Sequence, residues 1–300
     1  YLQQIDTKNT YSILVPTKDL EYYKPKNPNF TVRAADFKAY SFGEQLGYLR
    51  FLNTLKPDLV HFCMPQQPVL YNGKKVTTIH DMTLLNTYNS DKSWFIYHFK
   101  QFVGRYVFKH IAKTNDQLIA ITNNTKCEFQ SFTHVSDDKI TTIYEAGEVH
   151  QGELAPYKNL PFERFVIYVG QQPDYKNIRA LGDAHQKLLQ TDPNLGLVLV
   201  GRMNEDTKRN KAYFEKKGYK NIHFTGFLPD NQRDWLYTKA IAYVFPSLME
   251  GFGLPPLEAM AYGLPVISSS TSCMPEVLGD AAVYFDPKNT SDMARVIGET

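Results

Sequence analysis

Residues 247–258 read SLMEGFGLPPLE and combine two carboxylates, two glycines and a double proline. Proline disfavours helical backbone before it but suits the first turn of a helix, so the pattern predicts Glu250 on a loop and Glu258 inside a helix. Gly251 and Gly253 let the backbone approach a ligand closely, and the helix start adds N–H groups with a partial positive charge. The segment therefore predicts an anion site flanked by two acids with different roles.

A nucleotide sugar offers groups for both parts of this segment. Its ribose and sugar hydroxyls donate hydrogen bonds to carboxylates, and its diphosphate fits an anion site. The alternative is a capped helix in which Glu258 only complements the helix dipole. The segment by itself leaves both interpretations open.

Composition narrows the class of protein. The 300 residues are 43% apolar and 21% charged, which is typical of a globular protein, and the length favours two domains. The formal charge of +2 is too small to indicate nucleic acid as a partner. Cys63, Cys127 and Cys273 are isolated, so they predict neither a disulfide framework nor a zinc site, and they fit a cytoplasmic protein. The sequence has no apolar run of about 18 residues.

Short β-rich runs alternate with amphipathic stretches along the whole chain, which predicts parallel sheets covered by helices. The segment 146–162 shows no clear periodicity of apolar residues and is interpreted as a linker. The predicted domains are therefore 1–150 and 151–300. Each is expected to be a doubly wound, Rossmann-like α/β domain, with the ligand in a cleft at the carboxyl ends of the strands. Strands are predicted at 11–16, 30–34, 58–63, 76–80, 117–122, 140–144, 165–170, 195–201, 221–226, 240–247, 265–270 and 282–287, and helices at 93–114 and 177–190, before Gly218 and from Pro256.

Six segments carry a family pattern: in the second half YVGQQPDYKN, VGR, NIHFTGFLPD and PSLMEGFGLPPLEAMAYGLPVISSSTSCMPEVLGDAAVYFDP, and in the first half VTTIHDMTLL and QLIAITNNTK. The four segments of the second half resemble the donor-binding domain of retaining glycosyltransferases of family 4, which have the GT-B fold. The two segments of the first half resemble the acceptor domain of the same family, in its bacterial mannosyltransferase-like branch. The resemblance thus implies a GT-B fold with two Rossmann-like domains facing across a cleft.

The resemblance also implies roles for individual residues. Glu250 would contact the donor sugar and Glu258 the ribose. Lys176 would bind the diphosphate, and His80 would be the active-site histidine of the acceptor domain. The resemblance further places three backbone amides on the sugar hydroxyls and phosphate, those of Phe252, Gly253 and Leu254.

Further candidate residues follow from their positions after predicted strands. Lys176 lies on a strand-to-helix loop, where a flexible cation can neutralise a leaving diphosphate, although a solvated loop lysine fits as well. Arg202 lies in the equivalent place one strand along and is a second candidate cation. Phe227 and Leu228 form a strand-end turn that either holds a nucleotide base or simply closes the chain. His80 is open to a second interpretation, because a strand-end histidine is often a satisfied core residue.

The sequence departs from the family pattern at several points. Tyr175 replaces a residue that is usually basic, so neutralisation of the diphosphate rests on Lys176 and Arg202. Gln171 replaces a small hydroxyl or cationic residue, and Thr122 replaces a serine. The first strand and its glycine-rich turn are not found, and the helices expected after residue 300 are absent, so the interpretation is a truncated chain.

The predicted helix 93–114 has a row of cations, Arg105, Lys109 and Lys113, and a broad apolar face formed by Trp94, Phe95, Phe99, Phe102, Val103, Tyr106 and Val107. A basic amphipathic helix of this kind is suited to an anionic membrane, where lipid-linked acceptors reside. The alternative is a helix with one face in the core and the other in solvent.

The sequence therefore predicts a retaining glycosyltransferase that moves a hexosyl group, mannosyl by branch resemblance, from a GDP- or UDP-linked sugar to a glycan or lipid-linked glycan. It is expected in the cytoplasm or at the inner face of the membrane. No cofactor or metal is expected, because an Asp-x-Asp type pair is absent and lysine, arginine and a helix dipole supply positive charge. Two alternatives remain, a catalytically silent nucleotide-sugar-binding protein and a sugar-nucleotide epimerase of the same architecture.

Overall fold

The structure is a computed structural model that describes residues 1–38, 41–86, 94–147 and 152–300. Its strands are β1 (Tyr11–Val15), β2 (Phe30–Ala34), β3 (Val60–Phe62), β4 (Lys75–Ile79), β5 (Gln117–Ala120), β6 (Ile140–Thr142), β7 (Phe165–Val169), β8 (Gly196–Val200), β9 (Ile222–Gly226), β10 (Ala242–Phe245), β11 (Val266–Ser269) and β12 (Ala282–Phe285). Its α-helices are α1 (Leu2–Ile5), α2 (Leu49–Leu55), α3 (Thr83–Asn86), α4 (Trp94–Thr114), α5 (Asn123–Thr133), α6 (Ile178–Leu188), α7 (Glu205–Lys217), α8 (Asp230–Tyr237), α9 (Leu254–Ala261), α10 (Met274–Leu278) and α11 (Thr290–Glu299).

Every strand predicted from the sequence is present, with ends that differ by at most two residues. The predicted start of α9 at Pro256 is wrong, because the helix begins two residues earlier, at Leu254. The first N–H groups of a helix need no intrahelical acceptor, so both prolines fit within its first turn. The prediction that Glu250 lies on a loop and Glu258 in the helix is confirmed.

The largest sheet has six parallel strands in the order β12-β11-β10-β7-β8-β9. The chain starts in the middle with β7, builds outward to β9, and then returns to the other side of β7 with β10. Loops that leave the carboxyl ends of β7 and β10 therefore diverge, and they leave a crevice between them. Ligands of doubly wound sheets bind at this topological switch point.

The six-stranded sheet is held by a continuous apolar core. All five residues of β8 are buried, as are the first four of β7 and all four of β10. Strands buried on both faces are continuous apolar runs, which is why FVIYV and GLVLV do not alternate. Helices α6 and α11 each bury apolar side chains in this core.

Contacts divide the described chain into two compact units, residues 1–78 with 105–118 and residues 79–104 with 119–300. The first unit contains the parallel pair β1 and β2 and a cluster of buried apolar side chains. A further sheet has the order β3-β4-β5-β6, and the division falls within β4 and β5. The predicted domain boundary between residues 150 and 151 lies outside the described residues and stays a prediction.

Two aromatic side chains of helix α4 are exposed, although the sequence predicted them on its apolar face. Phe102 and Tyr106, assigned to the apolar face, are 70% and 54% exposed, whereas Val107 is buried. The side chains of Trp94, Phe95 and Phe99 lie outside the described residues. The exposed side of α4 therefore carries aromatic and basic residues together, namely Phe102, Arg105, Tyr106, Lys109 and Lys113. None of the described helices is long and apolar enough to cross a membrane.

The ends of β7, β8 and β9 meet closely through glycine backbone. The Gly170 N–H donates to the Val200 carbonyl at 2.9 Å, and the Gly201 N–H donates to the Gly226 carbonyl at 3.2 Å. A Cβ atom at residue 201 would lie 2.2 Å from the Gly170 carbonyl oxygen, a distance that requires the backbone to move. Only glycine fits at this position.

We predict that Gly201→Ala lowers the free energy of unfolding by about 1–3 kcal/mol, since overpacking a tight backbone contact forces the strands apart. Urea denaturation measures this loss. Gly147→Ala is the matched control, because its Cβ would meet the Leu257 side chain at 3.8 Å, an ordinary contact, and its effect should stay within about 0.5 kcal/mol. Equal effects of the two substitutions would contradict the close backbone contact.

Candidate functional site

The crevice between β7 and β10 is bridged by an ion pair. Lys176 ends a single 3₁₀ turn, Asp174–Lys176, that follows β7, and Glu250 lies in the loop that follows β10. The Lys176 Nζ atom is 2.5 Å from Glu250 Oε1, and the two side chains are only 17% and 11% exposed. The sequence predicted both residues for the site but not their contact. Each charge stabilises the other in a place where either alone would be poorly solvated.

Aromatic rings surround the Lys176 ammonium group. Its Nζ atom lies 5.3 Å from the centre of the Tyr175 ring and 5.4 Å from that of Phe245, within the range of cation–π attraction. Burial, and then the charge of Glu250, raises the pKa of Tyr175 to about 12, so its phenol remains neutral. Tyr175 therefore supplies a π face at the position where the family pattern has a cation.

The loop of Glu250 is anchored on the segment that follows β11. The Glu250 N–H donates to the Ser272 hydroxyl at 3.2 Å, and this hydroxyl donates to the Glu250 carbonyl at 2.8 Å. The Cys273 thiol donates to the same carbonyl at 3.3 Å. Burial and the charge of Glu250 raise the pKa of this thiol to about 12, which keeps it protonated as a donor. These three contacts fix the backbone from which the Glu250 side chain extends.

Gly251 brings the same loop against His80, and both residues lie in the second unit. A Cβ atom at residue 251 would lie 2.1 Å from the His80 carbonyl oxygen, so only glycine allows this approach. The Thr122 hydroxyl donates to the Gly251 carbonyl at 3.2 Å, and the Thr125 hydroxyl donates to the His80 carbonyl at 3.4 Å. The structure therefore brings His80 next to Glu250.

The His80 ring contacts a residue that the sequence analysis did not assign to the site. Its Nδ1 atom is 2.9 Å from Glu145 Oε1. Glu145 was interpreted as the last residue before the linker, and no local pattern marked it, because its partner lies on a different strand end.

The start of α9 lies beside the Glu250 loop and provides backbone donors. Gly253 precedes the helix with φ of 92°, a conformation that favours glycine, and Leu254 is the first helical residue. The four N–H groups at a helix start lack intrahelical acceptors, and the two prolines carry no N–H. The donors that remain are those of Gly253 and Leu254. The side chain of Phe252 is buried and supports the turn.

Glu258 lies one turn into α9 and faces α8. Its carboxylate is 4.0 Å from Arg233 Nη1, and Arg233 also pairs with Asp230 at 3.0 Å and Asp234 at 2.8 Å. Burial raises the pKa of Glu258, and the charge of Arg233 opposes this effect. The sequence analysis did not identify Arg233, since a charged residue on an amphipathic helix usually faces solvent. Arg233 thus orients the carboxylate of Glu258 from 4.0 Å, while its closer contacts are with Asp230 and Asp234.

Arg202 and Phe227 form a separate contact at the ends of β8 and β9. The Arg202 guanidinium lies 5.3 Å from the centre of the Phe227 ring, which is 67% exposed. Leu228, the next residue, is buried and anchors the turn. An exposed ring stacked on a cation offers a planar surface and a positive charge together. The residues therefore keep the two candidate roles that the sequence gave them.

Within the described parts of the chain, no group of three or more His, Cys, Asp or Glu side chains is arranged to hold a metal ion. The charged groups of the crevice are instead a lysine, a carboxylate and backbone N–H groups. Metal independence stays a prediction.

Comparison with known proteins places this site in a family. Residues 156–299 match the sequence profile described as Glycosyl transferases group 1. The chain is 30% identical over 231 residues to O-antigen chain mannosyltransferase B of Escherichia coli, covering 72% of this chain and 58% of that protein. It is 28% identical over 183 residues to O-antigen chain mannosyltransferase RfbU of Salmonella typhimurium, covering 61% and 50%. The matches thus span between half and three fifths of these relatives.

Solved structures show the fold. The structure of Anabaena Alr3699/HepE in complex with UDP-glucose superimposes with a TM-score of 0.70 and 15% identity, over 97% of this chain and 89% of that one. The structural match confirms the predicted GT-B fold. The sequence matches show that the chain belongs to the group 1 glycosyltransferases, in their mannosyltransferase-like branch.

Proposed function

We propose that this chain performs metal-independent, retaining transfer of a hexosyl group, mannosyl by analogy with its relatives, from a nucleotide diphosphate sugar to a glycan hydroxyl. The observation that carries the proposal is the pair of Lys176 and Glu250 at the switch point, beside the two backbone donors of Gly253 and Leu254. A cation, N–H donors and a carboxylate match the diphosphate and hydroxyl groups of one donor molecule.

The diphosphate would bind between Lys176 and the start of α9, with Arg202 as a second cation. Lys176 exchanges part of its contact with Glu250 for a phosphate oxygen, so its charge stays paired throughout and the desolvation cost remains small. When the bond from the sugar to the diphosphate breaks, negative charge grows on the leaving oxygen. Groups that are already aligned there stabilise this transition state more than the ground state.

The sugar and the nucleoside would occupy opposite sides of the diphosphate. Glu250, which pairs with Lys176, would also accept a hydrogen bond from a sugar hydroxyl. Glu258 accepts from the ribose hydroxyls, oriented by Arg233. Phe227 and Leu228 hold the base through apolar and backbone contact. The structurally similar HepE was solved with UDP-glucose, and the resemblance of the sequence to the mannosyltransferase-like branch favours GDP, so both bases enter the tests below.

The acceptor is proposed to be a glycan or a lipid-linked glycan, since the two relatives named above act on O-antigen chains by their names. Exposed Phe102 and Tyr106 among the cations of α4 fit the interface of an anionic bilayer, and they support the proposal that the enzyme works at the cytoplasmic face of a membrane. A catalytically silent binding protein is the second candidate, favoured by Tyr175 in place of a cation, and an epimerase is the third. Conversion of radiolabelled donor into larger products distinguishes transfer from both.

We predict that GDP or UDP raises the melting temperature without added divalent metal. A ligand that binds only the folded state contributes about 2.7 kcal/mol at a hundredfold excess over its Kd. The melts are run in EDTA and repeated with magnesium, and guanosine and uridine serve as the controls for the base and ribose alone. The proposal fails if no nucleoside diphosphate shifts the melt, or if the shift requires magnesium.

We predict that substitutions of Glu258 and Glu250 change different kinetic constants. Glu258→Ala should mainly raise the donor KM, because ribose contacts are similar in the ground and transition states. Glu250→Ala should lower kcat by about a hundredfold, since a sugar misplaced by about 1 Å reacts poorly, while binding of the free nucleoside diphosphate persists.

The exposed Glu163 supplies the matched control for this pair, and Glu163→Ala should leave both constants unchanged. Melting temperatures are measured alongside the kinetics. If Glu250 and Glu258 served only loop and helix stability, both variants would show modest losses of stability and full activity of the folded fraction. That outcome would reject their assignment as donor ligands.

We predict that the protein cosediments with vesicles containing anionic phosphatidylglycerol and not with neutral phosphatidylcholine vesicles. The double substitution Phe102→Ser and Tyr106→Ser should reduce the bound fraction severalfold, because it removes apolar area from the interface and leaves the charge unchanged. Replacement of the exposed Tyr22 by serine is the control. Equal binding of all variants would exclude α4 as the contact surface.

A further inference from the structure

Ser272 has a backbone conformation that few side chains adopt. Among the described residues, five other than glycine have a positive φ. Lys56 and His134 directly follow helices α2 and α5, where this conformation is common. Asn177 and Asn221 have a short polar side chain that tolerates it. Neither explanation applies to the serine, whose φ of 58° is strained. Strain of this kind persists only where neighbouring contacts hold it, and it is concentrated at functional sites.

The hydroxyl of Ser272 contacts both backbone polar groups of Glu250. It accepts from the Glu250 N–H at 3.2 Å and donates to the Glu250 carbonyl at 2.8 Å. The two soft dihedral angles of a residue are the rotations on either side of its Cα atom. A partner that holds the N–H and the carbonyl together therefore restricts both rotations, and with them the direction in which the Glu250 side chain extends.

The start of the same loop is held by other groups. The Ser247 carbonyl accepts from the Ser269 hydroxyl at 2.6 Å and from the Thr271 hydroxyl at 3.2 Å. The direction of the loop as it leaves β10 therefore does not depend on the side chain at residue 272. Loss of the Ser272 hydroxyl is expected to loosen Glu250 without releasing the whole loop.

The strain at Ser272 and the position of Glu250 depend on each other. Glycine at residue 272 would adopt the same φ without strain, but it has no hydroxyl. The two hydrogen bonds to Glu250 offset the strain that the serine side chain introduces. The carboxylate that they direct is the one that accepts from Lys176 Nζ at 2.5 Å in the crevice.

We propose that Ser272 is a positioning residue for Glu250, which holds the backbone of that residue so that its carboxylate meets a hydroxyl of the donor sugar. The inference deepens the proposed function and rests on it. Groups at a reacting centre work when their neighbours hold them within about 0.5 Å of the productive geometry. Misplacement by about 1 Å costs on the order of a hundredfold in rate.

The kinetic test compares Ser272→Gly with Ser272→Ala. Both remove the hydroxyl, but only glycine relieves the strain at positive φ, so the alanine variant should melt at the lower temperature. Both should nevertheless lower kcat about 10- to 100-fold, with binding of free nucleoside diphosphate unchanged. If Ser272 served only the turn, the glycine variant would keep full activity, and this result would overturn the proposal.

His134→Gly is the matched control for the relief of strain. His134 is exposed at the end of α5, and its φ of 59° is nearly that of Ser272. The substitution should not lower the melting temperature and should leave kcat and the donor KM unchanged.

A double-mutant cycle tests whether Ser272 acts through Glu250. In the Glu250→Ala variant the carboxylate is absent, so the added substitution Ser272→Gly should change kcat by no more than about twofold. A further loss as large as that in the wild-type background would show an independent role for Ser272 and would overturn the proposal.

A third readout does not depend on turnover. The Glu250 N–H donates to the Ser272 hydroxyl, so its hydrogen exchange, measured by NMR, should become severalfold faster in both Ser272 variants. Unchanged exchange would reject the role of Ser272. Absence of transfer by the wild type would instead refute the proposed function, and the exchange rate would still decide whether Ser272 holds Glu250.

Discussion

The reversal of strand order between β7 and β10 is the constraint on which the site depends. Because the chain builds outward from β7 in both directions, the loops after β7 and β10 border one crevice and have no strand between them. One loop presents Lys176 and the other Glu250, and their ion pair bridges the crevice. Two partly buried charges are stable only when they are paired. A ligand that separates Lys176 from Glu250 must therefore offer each of them a new partner. A diphosphate with neighbouring hydroxyls offers both an anion for the lysine and donors for the carboxylate.

Close backbone approach is the second element of this architecture. At residue 201 a Cβ atom would collide with the Gly170 carbonyl, and at residue 251 with that of His80. These glycines do not bind anything through side chains; they let neighbouring loops approach until backbone groups and short hydroxyls make contact. Thr122 illustrates the result, since its hydroxyl both caps α5 and donates to the Gly251 carbonyl. The substitution of serine by threonine at this position preserves the hydroxyl on which these contacts rely.

The two cations Lys176 and Arg233 are held by different kinds of neighbour. Tyr175 provides one aromatic face to the Lys176 ammonium group, and Phe245 provides a second. A quadrupole attracts the lysine without competing for its hydrogen-bond donors, so Lys176 keeps its three N–H groups for carboxylate and phosphate oxygens. On α8, Arg233 is shared among Asp230, Asp234 and Glu258 and lies 4.0 Å from the carboxylate of Glu258. Lys176 and Arg233 thus each orient a carboxylate, in addition to balancing its charge.

The sequence by itself determined the alternation of strands and helices, the loop position of Glu250, the helical position of Glu258 and the family. These features follow from local rules, in which side-chain periodicity, proline and glycine act over a few residues. Only the tertiary structure decided the partners: Lys176 meets Glu250 across 74 residues, His80 meets Glu145 from another strand end, and Arg233 reaches Glu258 from a neighbouring helix. It also placed Phe102 and Tyr106 in solvent, although periodicity assigned them to an apolar face. The physical reason is that a charge or an aromatic ring in a sequence fixes what a residue can bind, whereas strand order and backbone approach fix which residue it meets.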